Sequence, residues 1–471
     1  MSRYTAAISL PVSASEAFAY HERPGALQRL IPPWKSVSIE HSDGSLKPGS
    51  NVILRMNIGP IPTRWVAEHV DYDPPHLFGD VQRSGPFASW QHQHRFEPVG
   101  EESCLLRDEI EYQLPAAPVG PMLGGGIARK EIEAMFAYRH RVTRDDLQLA
   151  ANHPTSAMQI AVSGSSGLVG RKLCTLLRLL GHKVIRLERS LSPAESTHNG
   201  DAEKDGGMDV VAPWSSPDQA QRLSGIDAVV HLAGKPIADK RWTDSIKKQI
   251  RDSRIDLTRR LATSLASLPQ PPKVMICASA VGLYGDRGDE VLTESSTAGD
   301  GFLADVAQQW ESACDPARQA GIRVVNARLG MVLDPDGGAL AEMLTPAKFC
   351  AGALGDGKQW VSWVAVDDVI GSIYHAICCD NINGPMNVTA PQALTGTEFA
   401  KTLANVLDRV ALIPAPAFVL RMALGEMADA LLLSSAHAVP EVLTQSGYEF
   451  RFANAGDALR YCLGKDRLGG M

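Results

Sequence analysis

The chain has 471 residues, of which 44% are hydrophobic and 21% charged, with 46 lysines and arginines against 53 aspartates and glutamates. That length predicts two or three domains. The net charge of −7 excludes a broad basic surface for nucleic acid and a polybasic membrane anchor.

The N-terminus, Met1-Ser-Arg-Tyr-Thr-Ala, lacks the apolar stretch of a signal peptide. No apolar run approaches the about 18 residues that span a bilayer. The eight cysteines are scattered, and the adjacent Cys378 and Cys379 suit neither a disulfide framework nor a zinc site. These features predict a cytoplasmic protein with no membrane and no nucleic-acid partner.

The chain opens strand-rich. Tyr4–Leu10 alternates in polarity, and Ser13–Tyr20 reads as a short helix capped by Ser13, with Glu16 three residues on. Val52–Asn57, Arg64–Val70, Gln91–Phe96 and Leu105–Tyr112 read as antiparallel strands. Lys130–Leu147 carries Ile132, Met135, Phe136, Arg139 and Val142 at helical spacing. An early helix, a run of strands and a long last helix predict an α+β helix-grip domain over 1–148, its sheet wrapped around an apolar cavity. His92 and His94 share one strand face and could hold a metal. A polar sheet face is the plainer expectation, so no metal is assigned.

Leu149–Ala157, polar and broken by Pro154, reads as a linker. Beyond it strands and helices alternate: Gln159–Ser163, the helix Arg171–Leu180, then Lys183–Leu187, Ala228–Leu232, Val274–Ala278 and Arg323–Leu329. This alternation predicts an α/β doubly wound parallel sheet over 158–395, with a small helical region over 396–471.

Gly164-Ser165-Ser166-Gly167-Leu168-Val169-Gly170 follows the first of these strands and opens a helix. Gly164 permits a tight turn, Gly167 lets backbone N–H groups approach a pyrophosphate, and Gly170 lets helix and strand pack closely. The spacing is the short-chain reductase variant of the dinucleotide loop. The next strand ends in Glu188 and Arg189, where an acid reads the ribose of NAD and an arginine the 2′-phosphate of NADP. Arg189 favours NADP(H), with NAD(H) the alternative. Leu232, Ala233 and Gly234, small residues at a later strand end, let backbone lie under the adenosine, and His231 beside them reads as a packed histidine.

With these motifs in place, residues 158–463 resemble the atypical short-chain reductases called the epimerase family. The resemblance rests on Lys235–Trp242, Ser253-Arg254, Ser279–Asp286, Arg328–Gly338, Gly355–Trp363 with Asp367-Asp368, Gly425–Ala428 and Ser446–Phe450. It implies that Gln249, Arg254 and Arg328 join the glycine loop, Arg189 and Leu232 around the cofactor, and that the last 60–70 residues form the family's small helical domain. Short-chain reductases often dimerise, so a homodimer is an expectation. Residues 1–148 more loosely resemble the polyketide-cyclase/START-like fold, which implies a pocket for a hydrophobic small molecule.

Hydride-transferring members need a serine and a Tyr-x-x-x-Lys, the tyrosine serving as general acid/base. Ser279 sits at a strand end and Tyr284 follows, so these two are the catalytic candidates. Where the catalytic tyrosine and lysine belong, the chain has Phe302-Leu-Ala-Asp-Val306. Two functions therefore stand open. One is an NADP-dependent oxidoreductase or epimerase in which Ser279 and Tyr284 orient or protonate a small-molecule substrate. The other is an inactive, nucleotide-responsive binding protein.

Overall fold

The computed structural model describes residues 1–59, 61–115, 119–190 and 208–466. Residues 467–471 of the expected C-terminal region lie outside this set. The chain divides into two compact units, residues 1–154 with 178–181 and 461–471, and residues 155–177 with 182–460.

The first unit is built on a seven-stranded antiparallel sheet: β1 (Ser2–Leu10), β2 (Val37–Ser42), β3 (Asn51–Ile58), β4 (Ile61–Asp73), β5 (Leu77–Ser84), β6 (Ser89–Gly100) and β7 (Ser103–Gln113). The strands run in the order β1-β7-β6-β5-β4-β3-β2. Between β1 and β2 lie α1 (Ala14–Glu22) and α2 (Ala26–Leu30), and α3 (Val119–Asn152) follows the sheet. The Ser13 side chain caps α1 by accepting from the Glu16 amide (3.3 Å), as its spacing implies. Helices α1, α2 and α3 are tied by the buried carboxylate of Asp146, which accepts from Tyr20 (2.9 Å) and from Nε and Nη2 of Arg29 (2.9 and 2.8 Å).

Strand β6 buries every second residue, Trp90, His92, His94 and Phe96. On β7 the inward residues are Cys104, Leu106, Asp108, Ile110 and Tyr112. His92 and His94 therefore lie on a buried face, among apolar residues and not on a wholly polar one. Their shared parity with Trp90 and Phe96 puts them on the core side of the pleat. The linker is also corrected: Leu149–Asn152 belong to α3, so the irregular stretch begins at His153.

The second unit holds seven parallel strands: β8 (Gln159–Ser163), β9 (Lys183–Leu187), β10 (Asp209–Val211), β11 (Ala228–His231), β12 (Val274–Ala280), β13 (Arg323–Leu329) and β14 (Gly384–Val388). Their order is β10-β9-β8-β11-β12-β13-β14. The strand order reverses between β8 and β11, the switch point where such sheets bind ligands at their carboxyl ends. The helices that matter for the site are α4 (Leu168–Leu179), α5 (Asp244–Ala266) and α6 (Phe302–Ser312). The core strands are continuously apolar, as in Ile160, Ala161 and Val162 or Ala228, Val229 and Val230, because helices cover both sheet faces. Beyond β14 short helices dominate, beginning with Gly396–Val406 behind a Thr395/Glu398 capping box.

Candidate functional site

The glycine loop sits at the carboxyl end of β8 and runs into α4. Gly164 has φ +67°, and a Cβ there would lie 2.9 Å from the Ala233 amide nitrogen at the end of β11. A Cβ on Gly170 would lie 2.1 Å from the Gly164 carbonyl oxygen. Only glycine allows both approaches. Ser165 is buried, Ser166 and Gly167 are exposed, and Leu168 and Val169 are half-buried in the first turn of α4. The loop therefore presents its exposed backbone at a helix N-terminus across the switch point, a cradle that fits a pyrophosphate.

Ser163 fixes the floor of this cradle. Its hydroxyl lies 2.7 Å from His231 Nδ1 and accepts from the amides of Leu232 (3.2 Å) and Ala233 (3.4 Å). His231 is fully buried, and burial lowers its pKa to about 4. It is a packed, neutral ring, as the sequence implied.

At the end of β9, Glu188 is half-buried and Arg189 exposed. Glu188 is held by Arg186, whose Nη2 donates to Oε1 at 2.8 Å, while Arg186 Nε donates to Ser165 Oγ at 3.3 Å. Arg186 was not among the expected site residues. Its signal was present, because residues i and i+2 of a strand share a face.

Arg254 of α5 packs against the cradle's other wall: a Cβ on Gly234 would lie 3.2 Å from its guanidinium carbon. It donates to the Lys235 and Ile250 carbonyls (2.9 and 3.1 Å) and lies over the Trp310 ring at 5.0 Å. Among the described residues no carboxylate pairs with it, and burial lowers its pKa to about 10. It still carries its charge at neutral pH, which suits it to a phosphate. Gln249, on the same helix, is exposed and donates to Ser245 (3.3 Å).

Three expected residues are committed elsewhere. Arg328 forms a two-pronged ion pair with Glu311, Nε to Oε1 at 2.8 Å and Nη2 to Oε2 at 2.9 Å. It is thus an internal ion-pair partner in this structure. The Ser279 hydroxyl donates to the same Glu311 Oε1 at 2.7 Å, and its residue is 2% exposed. Tyr284 is fully buried. Its hydroxyl accepts from Arg328 Nη1 (2.9 Å) and faces Asn387 Oδ1 (2.7 Å) and the Thr293 carbonyl (3.0 Å). Burial raises its pKa. Ser279 and Tyr284, expected to meet substrate, thus share one internal network through Glu311 and Arg328.

Where the family's tyrosine would stand, Phe302 opens α6, packed edge-on against Trp242 at 5.1 Å with Lys247 Nζ 5.0 Å from its ring centre. Val306, at the lysine's place, is buried. No proton can be exchanged at either position.

Residues 160–388 match the NAD dependent epimerase/dehydratase family, residues 10–137 the family of polyketide cyclases, dehydrases and lipid transport proteins, and residues 415–462 a domain of unknown function. An epimerase family protein of Mycobacterium leprae, ML0860, is 37% identical over 304 residues, which are 64% of this chain and 94% of that protein. This chain belongs to the epimerase family. The human epimerase family protein SDR39U1 is 32% identical over 309 residues, 64% of this chain and 99% of its own. A solved structure of that human protein, isoform 2 with NADPH, is 30% identical and superposes with a TM-score of 0.57 over 65% of this chain and 99% of its own. Both units of this epimerase-family chain are covered by the nucleoside-diphosphate sugar epimerase of Corynebacterium glutamicum. That structure is 32% identical, with a TM-score of 0.78 over 99% of this chain and 91% of its own. With its cradle intact, this epimerase-family chain is an NAD(P)-binding protein. No helix among the described residues is long and apolar enough to cross a membrane.

Proposed function

We propose that this chain binds NADP(H) in preference to NAD(H) and acts as a dinucleotide-responsive binding protein, without a proton-transfer couple of its own in the Rossmann unit. The observation that carries this reading is the burial of Ser279 and Tyr284 in the Glu311–Arg328–Asn387 network. Bound NADP(H) supplies or accepts a hydride. Reduction or epimerisation also needs a group that moves a proton, and both hydroxyls already serve internal partners.

The NADP(H) preference rests on Arg186. Left alone, Glu188 would repel a 2′-phosphate; paired with Arg186 at 2.8 Å, it leaves the exposed Arg189, among the described residues, as the charge at that strand end without an ion-pair partner. The solved relative bound to NADPH supports the same choice. The pyrophosphate is taken by the backbone of Gly164–Gly170, with Arg254 and the Leu232–Gly234 backbone on the facing wall. The N-terminal unit, matching a family that includes lipid transport proteins, is the module that takes a hydrophobic small molecule.

Hydrogen exchange on the full chain tests this reading. NADPH should slow exchange at residues 164–170 and 232–235, and Tyr284→Phe should leave that protection and the NADPH affinity unchanged. A turnover of NADPH that Tyr284→Phe abolishes while NADPH still binds would overturn it.

A second reading, an oxidoreductase or epimerase on a small molecule, draws support from the whole-length similarity to the Corynebacterium protein described as a nucleoside-diphosphate sugar epimerase. Under it, NADPH-loaded protein would interconvert a nucleoside-diphosphate sugar, and a proton donor other than Ser279 and Tyr284 would be required.

A further inference from the structure

The interior of the N-terminal unit carries a cluster of ionisable side chains that the dinucleotide reading does not use. Register places His69 of β4 beside Asp80 of β5, and Asp80 beside His92 of β6. It also sets His94 of β6 opposite Asp108 of β7. His69, His92, His94 and Asp108 are each at most 9% exposed.

Asp108 organises the group. It accepts from His92 Nε2 at 3.0 Å, lies 2.5 Å from His94 Nδ1, and is hydrogen-bonded to His140 of α3. On the far side of the His92 ring, Nδ1 lies 3.5 Å from Asp80 Oδ1. One ligand atom each from Asp80, His92 and His94 falls within 4.8 Å of the others.

We propose that Asp80, His92 and His94 bind a divalent transition-metal ion inside the helix-grip unit. The proposal stands apart from the dinucleotide site and does not rest on its function. The separation of Asp80 Oδ1 from His92 Nδ1 is long for an N–H···O bond. It matches two neighbouring ligand atoms about one tetrahedral ion, about 3.4 Å apart for bonds of about 2.1 Å. Asp108 approaches the opposite nitrogen of the His92 ring. That is how an outer carboxylate orients a metal-bound imidazole and sharpens its basicity.

A second observation points the same way. His69, paired with Asp80 across the strands, is buried with its Nδ1 lacking a hydrogen-bond partner. Buried polar atoms in native proteins are seldom left so. Two imidazoles and a carboxylate suit Zn²⁺, Fe²⁺ or Mn²⁺, and three protein ligands leave positions open for water or an oxygen atom of a bound small molecule.

The test uses the full chain, stripped with EDTA, dialysed and titrated with Co²⁺, with zinc content measured after reloading. The expected result is one equivalent per chain, a visible Co²⁺ spectrum of nitrogen and oxygen ligation, and a higher Tm with Zn²⁺ than with EDTA. Asp80→Asn and His94→Gln, checked for folding by circular dichroism, should each weaken Co²⁺ binding at least tenfold. Binding unchanged in Asp80→Asn, or a thiolate-to-cobalt band, would overturn the proposal. Should neither variant fold, the wild-type protein decides: no bound equivalent and no zinc-dependent change in Tm overturns it as well.

Discussion

Glu311 binds Arg328 through two parallel contacts of 2.8 and 2.9 Å and accepts the Ser279 hydroxyl at 2.7 Å on the same carboxylate. The ion-paired side chains are 7% and 15% exposed, so little solvent screens them. Removing one partner strands the other's charge in a low-dielectric setting, which typically costs about 3–5 kcal/mol. Glu311→Ala should therefore destabilise the chain by about 3 kcal/mol in chemical unfolding. A loss below about 1 kcal/mol would mean that Arg328 finds another partner or water.

Tyr284→Phe removes one hydroxyl from that network and leaves Asn387 and Arg328 each short of a partner. The expected cost is about 1–3 kcal/mol of stability, with NADPH affinity changed less than twofold by calorimetry. A catalytic role would show the reverse, with stability kept and chemistry lost.

Gly170→Ala should abolish dinucleotide binding, because its methyl group would lie 2.1 Å from the Gly164 carbonyl oxygen, a backbone atom that cannot swing aside. Arg254→Ala should weaken NADPH binding by about 10- to 100-fold, the scale of a lost charge-assisted contact. Equilibrium titration of both variants checks these outcomes, and full affinity in Arg254→Ala would place the phosphate elsewhere.

His231 gives a pH dependence of known sign. Burial lowers its folded pKa to about 4 from the ordinary histidine value of 6.5, so the unfolded chain takes up the proton more readily. Its contribution is fully present above the unfolded value and is lost as pH falls from 6.5 towards 4. The drop is about 3 kcal/mol over that window. Unfolding free energies at pH 7 and pH 5 should show the loss, and His231→Gln should flatten it. An equal slope in the variant would assign the acid sensitivity to other groups.

Much of the fold was legible because apolar periodicity and glycine spacing are local signals. β8, β9 and β13 have the bounds their sequences suggested, and Ser13 caps α1 as its spacing implies. β2 and β5 were missed. Val37–Ser42 is largely exposed, and Leu77–Ser84 carries Gly79 and Asp80, so neither has the composition of a strand read alone.

The site divided along the same line. The close approaches at Gly164 and Gly170 are legible from glycine spacing, and the Leu232–Gly234 turn from small residues at a strand end. The fate of Arg328 depended on Glu311, seventeen residues away in sequence, and no periodicity links the two. Tyr284 looked available because a hydroxyl's partners, here Asn387 and Arg328, are set by tertiary packing. For the two β6 histidines the signal is parity and not polarity: Trp90 and Phe96, two residues to either side, mark their face as the core.

Under the proposed function Arg189 selects NADP(H), and calorimetric titration of the full chain with NADPH and NADH tests this most directly. NADPH should bind at least tenfold tighter than NADH, and Arg189→Ala should erase that difference while leaving NADH binding in place. NADH binding as tightly as NADPH, or a preference untouched in Arg189→Ala, would contradict it.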